Sequence, residues 1–206
     1  MTLDRFAARL PAGDLWIFGY GSLMWNPGFH YLRKHPARLF GFHRALCIHS
    51  TDHRGTTKQP GLVMGLAHGG SCHGMAFLVP REQVAVTLLE LWQREMRNRS
   101  YHPRLLDVRI GSQAVRALAF TVDRMHKHYA GNLPAAEIAR RVVACRGQRG
   151  SNIEYVLNTV SHLRSLGVRD GHLAAVLSAV RTLDAKSERP KAESAMFAEA
   201  SWADER

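Results

Sequence analysis

The stretch LWIFGYGSLMWNPG, residues 15–28, predicts how the fold begins. The apolar and aromatic run Leu15–Phe18 is typical of a buried strand, and the glycines after it end that strand in a tight turn. The turn starts like a dinucleotide-binding fingerprint, but it lacks the third glycine, and Pro27 prevents a helix from following. The pattern excludes a Rossmann site. It leaves two interpretations, a plain turn or a loop whose backbone N–H groups converge on a carboxylate or a developing oxyanion.

Beyond this strand, strand patterns come mostly early in the chain and helical patterns mostly late. Short apolar runs punctuated by glycine predict strands over 38–48, 62–67, 72–79, 105–110 and 115–122. Periodic spacing and N-capping signals predict helices over 81–97, 135–145, 151–166 and about 170–183. Because strands and helices are largely segregated, the pattern indicates an α+β fold built on a small barrel or meander.

Length and composition predict one domain. A chain of 206 residues with 46% hydrophobic residues can bury one sizeable core, and we expect a single domain over residues 1–184. Residues 185–206 are rich in alanine, glutamate, serine and lysine, and this composition predicts a flexible C-terminal tail.

The sequence also predicts where the protein works. Its apolar runs stop far short of the ~20 residues of a membrane span, and charges occupy the N-terminus where a signal peptide would be apolar. The three cysteines are widely spaced, which suggests neither a disulfide framework nor a zinc site. We therefore expect a cytoplasmic protein that binds no metal and no membrane.

Charge is unevenly distributed along the chain. The formal net charge is +11, yet residues 184–206 hold six acidic and four basic residues. The preceding residues 1–183 are therefore more strongly basic than the chain as a whole. Such a body attracts anions, whether nucleic acid, phospholipid surfaces or small acidic metabolites. Charge alone does not choose among these partners, and an ordinary basic surface is the remaining alternative.

The predicted helix over 81–97 carries one carboxylate on its apolar stripe. At 100° per residue the stripe consists of Val84, Leu88, Leu91 and Trp92. Glu95 falls inside it, whereas the charged neighbours Glu90, Arg94 and Arg97 fall on the opposite, solvated face. A buried carboxylate either forms a structural ion pair or has a pKa raised toward the range of a general base. Helical position leaves both interpretations open.

Several motifs recur in the order known from one enzyme family. They are WIFGYGSLMW at 16–25, STDHRG at 50–55, LWQREM at 91–96 with Tyr101, YAG at 129–131, and CRG at 145–147 with GSNIEY at 150–155. Together they make the chain resemble the ChaC-type, glutathione-specific γ-glutamylcyclotransferases over about residues 15–183. The resemblance implies a γ-glutamylcyclotransferase-like fold, a small mixed β-barrel or sheet surrounded by helices.

The resemblance also implies a reaction and its residues. The α-amine of the γ-glutamyl group attacks its own γ-carbonyl, which closes 5-oxoproline and releases cysteinylglycine, with no cofactor and no metal. Glu95 would be the general base. The substrate-binding residues would be Gly19, Tyr20, Gly21, Ser22, Leu23 and Met24, together with Tyr129. We accordingly expect glutathione as the small-molecule substrate, and a monomer.

Two alternatives remain at this point. The first is cyclotransfer on other γ-glutamyl amines or dipeptides, since the glycine loop and Glu95 would serve these equally well. The second is a basic nucleic-acid-binding module. That module would present aromatic residues with basic ones on its surface, whereas Trp16, Phe18 and Phe77 lie in apolar runs typical of a core. We therefore expect no nucleic-acid partner.

Overall fold

The computed structural model describes residues 2–186. The helices are α1 (Leu3–Ala7), α2 (Val84–Glu95), α3 (Ala135–Ala144), α4 (Asn152–Ser165) and α5 (Gly171–Lys186). The strands are β1 (Leu15–Gly19), β2 (Arg33–Ser50), β3 (Gly61–Val79), β4 (Tyr101–Ile110), β5 (Gln113–Val122), β6 (Arg146–Gly147) and β7 (Gly150–Ser151). Short 3₁₀ segments lie at Ser22–Met24 and Arg81–Gln83.

Five strands form a closed barrel in the order β1-β3-β2-β4-β5. β1 pairs with β3 in antiparallel register and with β5 in parallel register, so the barrel is mixed. β6 and β7 form a separate two-stranded sheet. The predicted α+β class with a small mixed barrel and surrounding helices is confirmed.

Contacts along the chain define two compact units within the described residues. The first contains residues 2–45 and 64–129, and the second contains 46–63 and 130–186. Aromatic side chains fill the core of the first unit, where Phe18, Phe77 and Phe120 are at most 1% exposed. Aliphatic side chains of α3, α4 and α5, such as Val142 and Val160, fill the core of the second. The single domain over residues 1–184 stays a prediction.

The prediction of two strands over 62–67 and 72–79 is wrong, because β3 runs unbroken from Gly61 to Val79. Glycines in its middle were interpreted as a break. Gly69 and Gly70 instead adopt positive φ angles of 101° and 70° inside the strand, a backbone conformation that glycine tolerates and that irregular strands use.

The structure also changes the helix boundaries. The predicted helix over 81–97 begins as a 3₁₀ turn and is α-helical only over Val84–Glu95. α1 was not predicted, because five residues carry too weak a periodic signal. Its Phe6 is 3% exposed and packs against Trp92, and this contact holds α1 in place. α5 extends through Lys186, and residues 187–206 of the predicted tail lie outside the described residues.

Candidate active site

The glycine loop, residues 19–24, leaves β1 and closes into a single 3₁₀ turn. The N–H of Met24 donates to the carbonyl of Gly21 at 2.9 Å, and among the described residues no side chain caps the start of this turn at Gly21. The first N–H groups of a helical turn have no partner within the turn. The amides of Ser22 and Leu23 are therefore the groups with which this loop can bind a carboxylate or an oxyanion.

Close packing makes glycine necessary at two positions beside the loop. A Cβ atom at Gly19 would lie 2.9 Å from the Cβ of Leu23, and one at Gly74 would lie 2.2 Å from the carbonyl oxygen of Gly19. Gly19 pairs with Met75 in the β1–β3 register, which places Gly74 against the same backbone. The loop can turn this tightly only because both side chains are absent.

A buried arginine that no local sequence pattern indicates lies against the loop. Arg44 on β2 is 3% exposed; its Nε donates to the carbonyl of Tyr20 at 2.5 Å, and its Nη2 donates to the carbonyl of His73. In a trans peptide the C=O and N–H point in opposite directions, so the Gly21 N–H points away from Arg44. Arg44 thus orients the peptide unit between Tyr20 and Gly21 in the glycine loop.

Glu95 ends helix α2 and is mostly buried, with its side chain 18% exposed. Arg94 Nε lies 3.2 Å from Glu95 Oε1, so this carboxylate forms an ion pair in the structure. Arg94 Nη2 also donates to the hydroxyl of Ser22 at 2.9 Å. The loop and the carboxylate, which lie far apart in the chain, are therefore joined through one guanidinium.

The predicted solvated position of Arg94 is wrong, because its side chain is only 19% exposed. The helical wheel failed here because α2 ends at Glu95, and a long side chain in the last turn can bend toward a neighbouring segment. The stripe itself is confirmed at Leu88 and Leu91, which are 3% and 2% exposed.

The two tyrosines differ in position. Tyr20 is 6% exposed, and its hydroxyl donates to the carbonyl of Phe120 at 2.7 Å, which anchors the glycine loop to β5. Tyr129 is an isolated bridge residue directly after the turn that follows β5, and the guanidinium of Arg124 lies 5.9 Å from its ring. The contact of Tyr129 with substrate stays a prediction.

The remaining motifs meet in the second unit, in a group we call the Arg54 cluster: Arg54, Gly61, Leu62, Ser151, Asn152 and Glu154. Arg54 Nη1 donates to the carbonyl of Ser151 at 3.0 Å and lies 3.5 Å from Glu154 Oε2. Burial lowers the pKa of the Arg54 guanidinium, and the Glu154 carboxylate opposes that shift. Ser151 caps α4 by accepting from the N–H of Glu154 at 3.4 Å, which confirms the predicted cap.

Candidate ligands for metals are dispersed in the structure. Within residues 2–183, whose side chains the structure describes, no three histidine, cysteine, aspartate or glutamate side chains come close enough together to hold an ion. No helix in the same residues is both long and apolar enough to cross a membrane.

Known proteins match both the sequence and the fold. The family model for ChaC-like proteins matches residues 15–183. The chain belongs to the ChaC-like family. This ChaC-like chain is 38% identical over 183 residues to the glutathione-specific γ-glutamylcyclotransferase of Escherichia coli (strain K12). The matched region covers 88% of this chain and 79% of the relative. It is 35% identical over 189 residues to glutathione-specific γ-glutamylcyclotransferase 1 of Homo sapiens, and this match covers 86% of the chain and 85% of the relative.

The solved structures agree on the architecture. A crystal structure of the yeast γ-glutamyl cyclotransferase specific to glutathione superimposes with a TM-score of 0.79 at 21% identity, over 86% of this ChaC-like chain and all of the yeast chain. At that identity the likeness shows the fold alone. The family resemblance and the γ-glutamylcyclotransferase fold predicted from the motifs are both confirmed.

Proposed function

We propose that this ChaC-like chain is a glutathione-specific γ-glutamylcyclotransferase that converts glutathione to 5-oxoproline and cysteinylglycine. The curated relatives from Escherichia coli and Homo sapiens carry this activity in their names, at 38% and 35% identity over most of the chain. The reaction is the one that the motifs predicted.

The link from Arg94 to both the glycine loop and Glu95 carries this proposal. A general base must lie within hydrogen-bond reach of the proton that it takes, and it must be ionised. Glu95 is an ion-paired carboxylate, and its partner Arg94 also binds Ser22 of the loop. A γ-glutamyl group held by the loop amides would therefore lie beside a carboxylate able to accept a proton.

The proposed reaction needs no external reactant. Glu95 takes a proton from the substrate ammonium, and the freed α-amine attacks the γ-carbonyl carbon to form the C–N bond of a five-membered lactam. The amide bond to cysteine then breaks as Glu95 returns this proton to the departing nitrogen. Glu95 next takes the second proton of the attacking nitrogen and passes it to the same amine, which leaves neutral 5-oxoproline lactam and cysteinylglycine with a charged ammonium. Orientation can lower the barrier of an intramolecular reaction by roughly 7 to 11 kcal/mol, and holding the amine and the carbonyl in the cyclised geometry supplies part of that reduction.

The remaining roles and properties belong to the same proposal. The loop residues Gly19 to Met24 bind the γ-glutamyl group, mainly through the backbone, and Tyr129 contacts the substrate. Glutathione, with two carboxylates and one ammonium, suits a chain of net charge +11. All three cysteines are thiols, in keeping with work in a reducing cytoplasm. We propose a monomer that binds neither nucleic acid nor membranes.

The test is to incubate purified protein with reduced glutathione, without added metal or nucleotide, and to quantify both products by mass spectrometry. Equimolar 5-oxoproline and cysteinylglycine are expected. Release from γ-glutamyl dipeptides or amines but not from glutathione would keep the chemistry and replace the substrate. No release from any γ-glutamyl compound would contradict the proposal and direct attention to nucleic-acid binding.

A further inference from the structure

Arg94 has a contact for every nitrogen of its guanidinium. Nη1 donates to the carbonyls of Asn26 and Pro27 at 2.8 and 3.1 Å, and Nη2 donates to the hydroxyl of Ser22 at 2.9 Å. Nε lies 3.2 Å from Oε1 of Glu95. One side chain thus binds three residues of the segment 22–27 and the carboxylate proposed as the base.

The shape of the group fixes how these partners lie relative to one another. A guanidinium is planar and its N–H directions are rigid, so partners on its different edges are held at set angles. The segment also passes close over it, because a Cβ atom at Gly28 would lie 3.4 Å from Nη1. A point charge such as a lysine ammonium cannot satisfy the two edges at once.

We propose that Arg94 is a positioning residue that sets the placement of Glu95 relative to the glycine loop. The inference rests on the proposed function, in which the loop holds the γ-glutamyl group and Glu95 takes the proton of its α-amine. Proton transfer requires an approach of about 2.6 to 3.2 Å between heavy atoms. An error of 1 Å in such placement costs about a hundredfold in rate. Arg94 therefore affects turnover without touching the reacting atoms.

Two substitutions separate geometry from charge. Arg94→Lys keeps a positive charge near Glu95 but loses the planar fork. Arg94→Met keeps most of the apolar stem and loses both charge and fork. A third variant, Ser22→Ala, removes one bond of the network. Arg116→Gln is the control, since Arg116 is an exposed arginine of the same unit, 3.6 Å from Asp107.

The experiment measures kcat and KM for 5-oxoproline release by wild type and each variant, on samples shown to be folded by circular dichroism and thermal unfolding. We expect kcat to fall about a hundredfold in Arg94→Met and about tenfold in Arg94→Lys, a partial rescue by the retained charge. Ser22→Ala should raise KM a few-fold with little change in kcat. It should have no further effect in the Arg94→Met background, where its bond is already lost.

Each contrary result has a distinct meaning. A wild type that releases no 5-oxoproline would overturn the proposed function, and this inference with it. An active wild type with Arg94→Lys and Arg94→Met both within twofold of its kcat and KM would overturn the inference alone. A loss of kcat in Arg116→Gln equal to that in Arg94→Met would also overturn it. The same holds if Ser22→Ala raises KM in the Arg94→Met background as much as it does in wild type.

Discussion

The two units of the chain each contain an arginine–glutamate pair, and the pairs differ in what surrounds them. In the first unit, the side chains of Arg94 and Glu95 are 19% and 18% exposed, and the arginine also binds the glycine loop. In the second, Glu154 is 50% exposed and Arg54 binds the carbonyl of Ser151. The first carboxylate is withdrawn from solvent, whereas the second is half in water.

The backbone beside each pair differs in the same way. The amides that open the 3₁₀ turn at Ser22 have no side-chain cap among the described residues. Beside the Arg54 cluster, Gly147 approaches the carbonyls of Asp52 and His53, and the amides of Gln148 and Arg149 donate to those carbonyls at 2.8 and 3.0 Å. A family motif therefore does not by itself indicate chemistry. We expect substitutions in the first region to reduce activity and those in the second to reduce stability.

The largest effect on stability is expected from Asn152→Ala in the Arg54 cluster. Asn152 is fully buried; its Oδ1 accepts from the N–H of Leu62 at 2.6 Å and its Nδ2 donates to the carbonyl of Leu62 at 2.7 Å. Truncation leaves the buried N–H and carbonyl of Leu62 without these hydrogen-bond partners. It should lower the free energy of unfolding by about 2 to 5 kcal/mol. Chemical denaturation measures this loss.

The control for that prediction is Asn98→Ala, which removes the side chain of an exposed asparagine. It should change the free energy of unfolding by about 0.5 kcal/mol or less. Equal stability of the two variants would show that the Leu62 bonds do not hold this part of the chain together. A folded Asn152→Ala sample should retain the KM of wild type.

Gly19→Ala should give a smaller loss of stability with a clear loss of activity. The added Cβ would meet the Cβ of Leu23 at 2.9 Å, so the glycine loop must shift. We expect kcat/KM to fall by about ten- to a hundredfold, because displaced amides bind the substrate poorly. Gly171→Ala is the matched control, since nothing lies within 4 Å of its Cβ position. Unchanged kcat/KM in Gly19→Ala would contradict the proposed role of the loop.

The smallest effect concerns Cys145 and pH. Burial raises the pKa of this thiol, and Arg141 opposes the shift. The stabilising contribution of the protonated thiol is complete below the unfolded pKa of about 8.5 and is lost as pH rises toward the folded pKa. Unfolding free energies of wild type should thus fall more steeply above pH 8.5 than those of Cys145→Ala, by less than about 1.4 kcal/mol per pH unit. Parallel pH profiles would contradict the prediction.

Local patterns predicted most of the fold. Apolar runs located β1, β4 and β5, and Ser151 marked the start of α4, because these signals come from residues close together in sequence. The order of strands in the barrel depends on pairings between distant segments, such as Trp16 with Ala117, and no local pattern contains it. Glycine inside β3 was misinterpreted because the same residue marks both turns and strand irregularities.

The candidate site was predicted in part for the same reason. Glu95 could be singled out because its burial follows from helical spacing. Arg94 and Arg44 could not, since their partners Ser22 and Tyr20 lie far away in the sequence. An arginine in an apolar strand run or in the last turn of a helix has the same local signature as a solvated one.

The most direct test compares the two carboxylates by substitution. Glu95→Gln and Glu154→Gln each replace an arginine-paired carboxylate with an amide of nearly the same shape, and 5-oxoproline release from glutathione is measured for both beside wild type. We predict folded proteins in both cases, with activity near background for Glu95→Gln and within about twofold of wild type for Glu154→Gln. Full activity in a folded Glu95→Gln protein would contradict the general-base role of Glu95.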